Sequence, residues 1–553
     1  MKKTILIGGE AGHGVKKTSY LIAKSFTKSG LYSFDYQDYP SLIRGGHNFC
    51  VLKVSDKPIY SHQNKYDIII AFDEEAIELH GKNLKKKGII ICDKEIEGKT
   101  DKPVFPVDMQ EIIDKYEVSR NVANDVLVGF LYKLLGLNIE KPLEIFKEAF
   151  PKKAKEVEEI IKEGFNYSIK EEILDKSFSI TSENKSKYFL EGNEAIGAGA
   201  IYAGLDNYIA YPMTPSTGVL NYLAGKQKDH NFLVVQPENE IAVANAALGS
   251  SFTGALSMVG TSGGGFALMS EALSMQGMSE LPLVVYLSQR SSPASGIPTY
   301  TAQGDLKFAL NAGHGEFPRV VLAPGDSKEA FYMTVEAFYL SQKYRVLSIL
   351  LGDKHVAESY YSFDDFEEPK VKPERNVADN PNDGYLNYSL NEKGFSSRAV
   401  PGQVSVTKTT SYEHDEFGNT SEDGKTAVKM NEKRWRKNIY LKKEIEEKLQ
   451  PVEIYGEGEN LIIGWGSTKG AIIDALSGLK NYRFMQIKYL APFPDGFVKE
   501  EIKKSNNVVL VENNVKGLLA DVIREQTGHL IKKKILKYNA RPFVPKDIIR
   551  ELK

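Results

Sequence analysis

Short apolar runs that stop at a glycine- or proline-bearing turn and resume as helix-prone text recur along this chain, and that repeat points to an α/β protein. Thr4–Ile7 ends at Gly8-Gly9 and leads into a helical pattern over Ser19–Phe26, with further strand-like runs at Ile68–Phe72 and Gly88–Cys92. Tyr211-Pro212-Met213-Thr214-Pro215-Ser216-Thr217-Gly218 follows a hydrophobic run, and Val234-Val235 leads to Pro237-Glu238-Asn239-Glu240 and an Ala-rich helix. Ala255–Val259 ends at Gly260-Thr261-Ser262-Gly263-Gly264-Gly265, and Leu283–Leu287 delivers Gln289-Arg290-Ser291-Ser292-Pro293 into a loop. Asn460–Gly464, Tyr482–Ile487 and Asn507–Val511 repeat the alternation near the end. Small or polar residues therefore gather at the strand-to-turn junctions between Tyr211 and Pro293, as in open α/β sheets with a ligand crevice at the carboxyl ends of the strands.

At 553 residues the chain has room for several domains. Composition shifts divide it into an α/β segment over 1–170, a linker over 171–187, a second α/β segment over 188–365, a polar excursion over 366–450 and a third α/β segment over 451–553. Lys plus Arg number 71 and Asp plus Glu 73, so there is no global charge for nucleic acid. No apolar stretch is long enough for a membrane span, and the run after Met1 is too short for a signal-peptide core, which predicts a cytoplasmic protein. Cys50 and Cys92 are the only cysteines, too few for a disulfide framework, a four-cysteine zinc site or an iron–sulfur cluster.

Each motif carries two readings. The turn Gly8-Gly9-Glu10-Ala11-Gly12-His13-Gly14 lacks the spacing of a P-loop and of a Rossmann fingerprint, leaving a tight turn or an anion contact at a helix N-terminus. Arg44-Gly45-Gly46 is either a ligand-facing turn or a turn with a solvated charge. Pro215 disfavours helix at Thr214, and Ser216-Thr217 are placed to cap a helix resuming at Val219. Glu238 and Glu240 either complement a helix dipole or supply a functional acid. Glu413-His414-Asp415-Glu416 reads as a solvated loop rather than a metal site, because adjacent residues rarely converge on one ion. Trp435, between basic pairs, reads as a helix face or a subunit contact.

Gly192-Asn193-Glu194-Ala195, Tyr211-Pro212-Met213-Thr214-Pro215-Ser216, Glu238-Asn239-Glu240-Ile241-Ala242, Thr261-Ser262-Gly263 and Gln289-Arg290…Pro293 stand in the order seen in α subunits of 2-oxoacid:ferredoxin oxidoreductases. The leading segment resembles the γ domain of the same enzymes, so the whole chain resembles a fused γα subunit. The resemblance implies a γ-type domain, a thiamine-diphosphate-binding-fold domain and a transketolase C-terminal-like domain. It implies CoA-dependent oxidative decarboxylation of a 2-oxoacid, either 2-oxoglutarate or pyruvate, with electrons passing to ferredoxin. Glu240 would hydrogen-bond the cofactor's aminopyrimidine, with Glu238 second; Thr214 would lie beside the reacting carbon and Arg290 would pair with the substrate carboxylate. Tyr211, Pro212, Thr261, Ser262 and Gly263 would line the cofactor cleft, and Arg44, Gly45 and Gly46 would approach the coenzyme A path.

Two absences fit this picture. The family's diphosphate-and-magnesium motif begins Gly-Asp-Gly, and Gly304-Asp305, Gly325-Asp326 and Gly352-Asp353 all lack the second glycine. A β subunit would therefore share the thiamine diphosphate and Mg2+ and carry the [4Fe-4S] cluster, giving a heterodimer or a dimer of heterodimers. Met213, Thr217, Ser291-Ser292 and Gly264 depart from the family pattern and leave substrate size open. The alternatives are a scaffold subunit of such a complex, or a thiamine-dependent decarboxylase or ligase that does not use ferredoxin.

Overall fold

The computed structural model describes residues 2–42, 45–167, 178–181 and 185–553, so Arg44 and most of the expected linker lie outside the described residues. The chain forms two compact units, one of Met1–Leu190 with Ser359–Phe366 and Val544–Asp547, the other of Glu191–Glu358, Glu367–Phe543 and Ile548–Lys553.

The first unit is built on an eight-stranded sheet. Its strand Lys2–Glu10 pairs parallel with Tyr66–Ala71 and antiparallel with His47–Ser55. The strand runs through Gly8 and Gly9 rather than stopping at them. A Cβ on Gly9 would stand 2.8 Å from the Cβ of Phe72, so glycine here admits a neighbouring segment. The turn proper comes at Gly12 and Gly14, both with positive φ, and opens the helix Val15–Lys28. Tyr360–Phe363 returns to this sheet and pairs antiparallel with Tyr32–Asp38. Lys187, read as linker, is buried and pairs with Asp364 at 2.7 Å.

The second unit holds a seven-stranded and a five-stranded sheet. Across the seven-stranded sheet the order is Tyr489–Ala491, Arg319–Leu322, Leu347–Asp353, Leu283–Gln289, Ser257–Thr261, Asn207–Ile209 and Leu233–Val235. All neighbours are parallel except Tyr489–Ala491. Every residue of Ser257–Thr261 and Leu283–Gln289 is buried, as strands covered on both faces must be. The chain runs outward from Asn207–Ile209 to the edge strand Leu233–Val235, then returns past it to Ser257–Thr261. Strand order thus reverses between Asn207–Ile209 and Ser257–Thr261, and it is at the carboxyl ends of such a pair that open α/β sheets form a ligand crevice. The helices Glu240–Phe252 and Gly263–Ser279 both begin at this end. Among the described residues no helix is long and apolar enough to cross a membrane.

In the first unit, the helices Val126–Leu134 and Ala154–Asn166 cross at two glycines, where a Cβ on Gly129 would stand 1.9 Å from Ile161 O and one on Gly164 1.9 Å from Val126 O. Gly129→Ala should therefore destabilise this unit by about 1–3 kcal/mol, read as a lower midpoint in chemical denaturation followed by a probe in residues 2–167.

Candidate functional site

The turn after Ile209 carries Tyr211 to Thr214, and the turn after Thr261 carries Ser262 and Gly263. Both open on the crevice where the strand order reverses. Asn193, itself buried, fixes the first turn by donating Nδ2 to Pro215 O at 3.1 Å, while its Oδ1 accepts from Tyr286 Oη at 3.3 Å. The helix Thr217–Lys226 starts two residues earlier than the sequence implies. Ser216 does not cap it through its side chain, because its hydroxyl turns back to Met213 O at 2.8 Å. That bond tightens the Met213–Ser216 turn and leaves the helix N-terminus without a side-chain acceptor.

Glu238 and Glu240 part company. Glu238 is exposed, whereas Glu240 is 3% exposed at the first position of its helix, and Asn239 supplies the cap by accepting from Ala242 N at 3.0 Å. The Oε1 atom of Glu240 is fully buried and has no hydrogen-bond partner among the described residues. Gly265 makes the space. A Cβ there would stand 2.1 Å from Thr261 Oγ1 and 2.4 Å from Glu240 Oε1. Ser262 Oγ is likewise buried and without a partner. Thr261 Oγ1 reaches Met213 Sδ at 3.9 Å, which joins the two turns.

Arg290, half-buried at the end of Leu283–Gln289, donates Nη1 to Thr214 O at 2.8 Å. Burial lowers its pKa and the nearby Asp305 raises it. Asp305 is a residue the sequence reading missed. Burial pushes its carboxyl up to about 6 against the pull of Arg290, and its Oδ2 would stand 2.8 Å from a Cβ on Gly263. Gln289 Oε1 accepts from Asp305 N at 2.9 Å and so sets its place. Gln303, two residues earlier, is held by Asn513, Asn514 and Trp465 from the last segment. Only the lone Gly-Asp step hinted at Asp305, and nothing local marked Asn193 as the fastener of the first turn.

Arg290 and Thr214 are thus joined by a hydrogen bond, Thr261 touches Met213 of the same turn, and Thr261 and Glu240 both crowd the place beside Gly265, with Ser262 and Gly263 next in the chain and Tyr211 and Pro212 exposed. Gly45 and Gly46 belong to the other unit. There Gly46 O accepts from Ala11 N at 3.1 Å, which ties that loop to the glycine turn. The 413–416 run is a loop, but only partly in water: Glu413 accepts from both terminal nitrogens of Arg434 and His414 is fully buried against Tyr388, while Asp415 and Glu416 are half-buried.

Residues 198–433 match the family model described as pyruvate flavodoxin/ferredoxin oxidoreductase, thiamine diphosphate-binding, and residues 4–170 match pyruvate ferredoxin/flavodoxin oxidoreductase. The chain is 31% identical to a 2-oxoacid:ferredoxin oxidoreductase subunit alpha from a Sulfolobus species, over 99% of this chain and 96% of that one. It is 28% identical to the 2-oxoglutarate synthase subunit KorA of Methanothermobacter thermautotrophicus, over 66% of this chain and 97% of the relative. Among solved structures, the 2-oxoglutarate:ferredoxin oxidoreductase of Magnetococcus marinus with 2-oxoglutarate, coenzyme A and succinyl-CoA bound aligns with a TM-score of 0.89 at 29% identity. That alignment covers 100% of this chain and 98% of the matched one.

Gly265→Ala should push the Glu240 carboxylate aside by about 1 Å and destabilise the second unit by about 1–3 kcal/mol. A crystal structure of the variant and its thermal midpoint read both effects.

Proposed function

The chain belongs to the 2-oxoacid:ferredoxin oxidoreductase alpha subunits, and from that premise we propose that its crevice is one half of a thiamine diphosphate site for CoA-dependent decarboxylation of 2-oxoglutarate or pyruvate. The observation that carries this reading is the buried Oε1 of Glu240, without a partner among the described residues and seated against Gly265, where an added methyl group would collide with it. An orphaned carboxylate oxygen at that depth is costly unless a donor arrives with a ligand. A protonated aminopyrimidine nitrogen is such a donor.

Thiamine diphosphate, when bound, would supply a carbon acid whose carbanion can add to a 2-keto carbon, and a cationic ring able to take up the electron pair left by decarboxylation. The rest falls to this chain's own residues. Glu240 would hold the aminopyrimidine N1′ and favour the tautomer that acts as the internal base. Thr261, Ser262 and Gly263 would line the ring, with Tyr211 and Pro212 at the mouth. Thr214 would face the reacting carbon, its backbone carbonyl already held by Arg290. The remaining guanidinium nitrogens of Arg290 suit a substrate carboxylate, a planar fork against a planar anion. Asp305 beside it keeps the charge of that subsite from being purely positive. Coenzyme A would approach by the loop of Gly45 and Gly46, which Arg44 precedes.

A partner would complete the site. With no Gly-Asp-Gly step in the sequence, the diphosphate and Mg2+ fall to a β subunit. Cys50 and Cys92 are both buried, and burial pushes the Cys92 thiol up to about 12, so neither suits a [4Fe-4S] cluster, which also falls to a partner chain. Tyr211, Val235, Ile241 and Leu268 are exposed on the segments that border the crevice, an apolar rim fit to be covered by that chain.

The test is viologen reduction by this chain purified with its native partners, across a panel of pyruvate, 2-oxoglutarate and branched-chain 2-oxoacids. Reduction should require both a 2-oxoacid and coenzyme A. No reduction by a complex that holds thiamine diphosphate and intact clusters would favour a scaffold role. In the same assay Arg290→Met should raise KM for the 2-oxoacid by about 10–100-fold, the loss of a charge-assisted contact worth roughly 1.5–3 kcal/mol.

A further inference from the structure

The segment between the second and third sheets, which the catalytic reading leaves unused, closes over a buried group of cations. Glu280, where the helix Gly263–Ser279 ends, accepts from Lys433 and Lys437, each at 2.6 Å. Arg345, where the helix Ser327–Tyr344 ends, donates Nε to Glu280 O at 3.1 Å and Nη1 to Asn387 O. Its guanidinium lies 5.1 Å from the centre of the Tyr388 ring, with Lys433 Nζ 5.4 Å from the same ring. Arg398 completes the group by donating Nη1 to Ser251 O at 2.6 Å, near the end of the helix Glu240–Phe252. All four cations and Glu280 are buried.

Arg398 is 3% exposed, and its Nε and Nη2 are fully buried with no hydrogen-bond partner among the described residues. These two nitrogens form one edge of the guanidinium, the edge that grips an anion with two parallel N–H donors. The charge count points the same way. Around Tyr388 four cations meet one carboxylate, since Arg434 nearby is balanced by Glu413. Crediting about half a negative charge to the C-terminus of each of the three helices that end here still leaves more than one positive charge in excess. Burial pushes Lys433 down to about 8, and burial together with Arg345 pushes Arg398 down to about 9. A lysine can answer such a field by losing its proton; a guanidinium holds its own and needs a counter-charge. Water would satisfy the two donors but not the charge.

We propose that a small monovalent anion of the chloride class binds at the Nε and Nη2 edge of Arg398, with Arg345 as the second cation of its field. There it would fasten the 370–423 segment to the far ends of the two helices whose first turns form the catalytic crevice.

The assembled complex, crystallised and soaked in bromide, tests the assignment directly. An anomalous difference peak within hydrogen-bonding distance of both Arg398 Nε and Nη2 is expected. In solution, chloride or bromide should raise the thermal midpoint of the complex by about 2–4 °C over gluconate at equal ionic strength, and Arg398→Gln should abolish that difference. Should Arg398→Gln fail to assemble, the bromide crystal of the unaltered complex decides alone. A bromide crystal with no anomalous peak at that edge, or equal midpoints in chloride and gluconate, overturns the proposal.

Discussion

A carboxylate oxygen buried without a donor is the constraint around which the second unit is arranged. Leaving such an atom unpaired costs about 1–3 kcal/mol, more if it is charged. The fold offsets part of this by placing Glu240 in the first turn of a helix, where the peptide dipoles favour negative charge, and by assigning the cap to Asn239 instead. The helix-dipole and functional-acid readings of that stretch are therefore compatible. A helix N-terminus favours an acidic side chain, and this oxygen has no partner among the described residues. Residue 265 then has to be glycine on the side that faces it, because an added Cβ there meets both the carboxylate and Thr261 Oγ1.

What steadies the crevice comes from far along the chain. Gln303 exchanges hydrogen bonds with Asn513 across 210 positions, which binds the loop that carries Asp305 to a strand end of the last sheet. Asn193 reaches Pro215 and receives Tyr286, so one buried amide ties the Thr214 turn to the strand Leu283–Gln289, two places away in the sheet. The opposite ends of the Glu240 and Gly263 helices sit in the charged group around Tyr388. Each helix of the crevice is thus held at its working end by packing against small residues, and at its far end by buried cations.

The parts legible in the sequence are those whose signal is local. The strand runs at Leu283–Leu287 and Asn460–Gly464, and the Tyr211–Ser216 and Thr261–Gly263 turns, follow from apolar text broken by glycine and proline. The family resemblance then picked out Glu240 and Arg290. Pairings between distant segments were not legible. The return of Tyr360–Phe363 to the first sheet, the bonds of Gln303 and the seat of Asp305 depend on residues that nothing in the nearby text announces. Ser216 misled because a hydroxyl beside a helix start can bond backward as well as forward. The 413–416 run misled because charged text usually faces water, whereas here Arg434 on a later helix takes up Glu413 and His414 sinks beneath Tyr388.

On the proposed function Glu240 acts on the cofactor ring and does more than build the helix. The most direct measurement is deuterium exchange at the thiazolium carbon of thiamine diphosphate bound to the assembled complex, comparing the unaltered protein with Glu240→Gln. The variant should retain the cofactor while its exchange rate falls by about 10²–10⁴-fold. Equal exchange rates in the two complexes, with the cofactor equally bound, would contradict it.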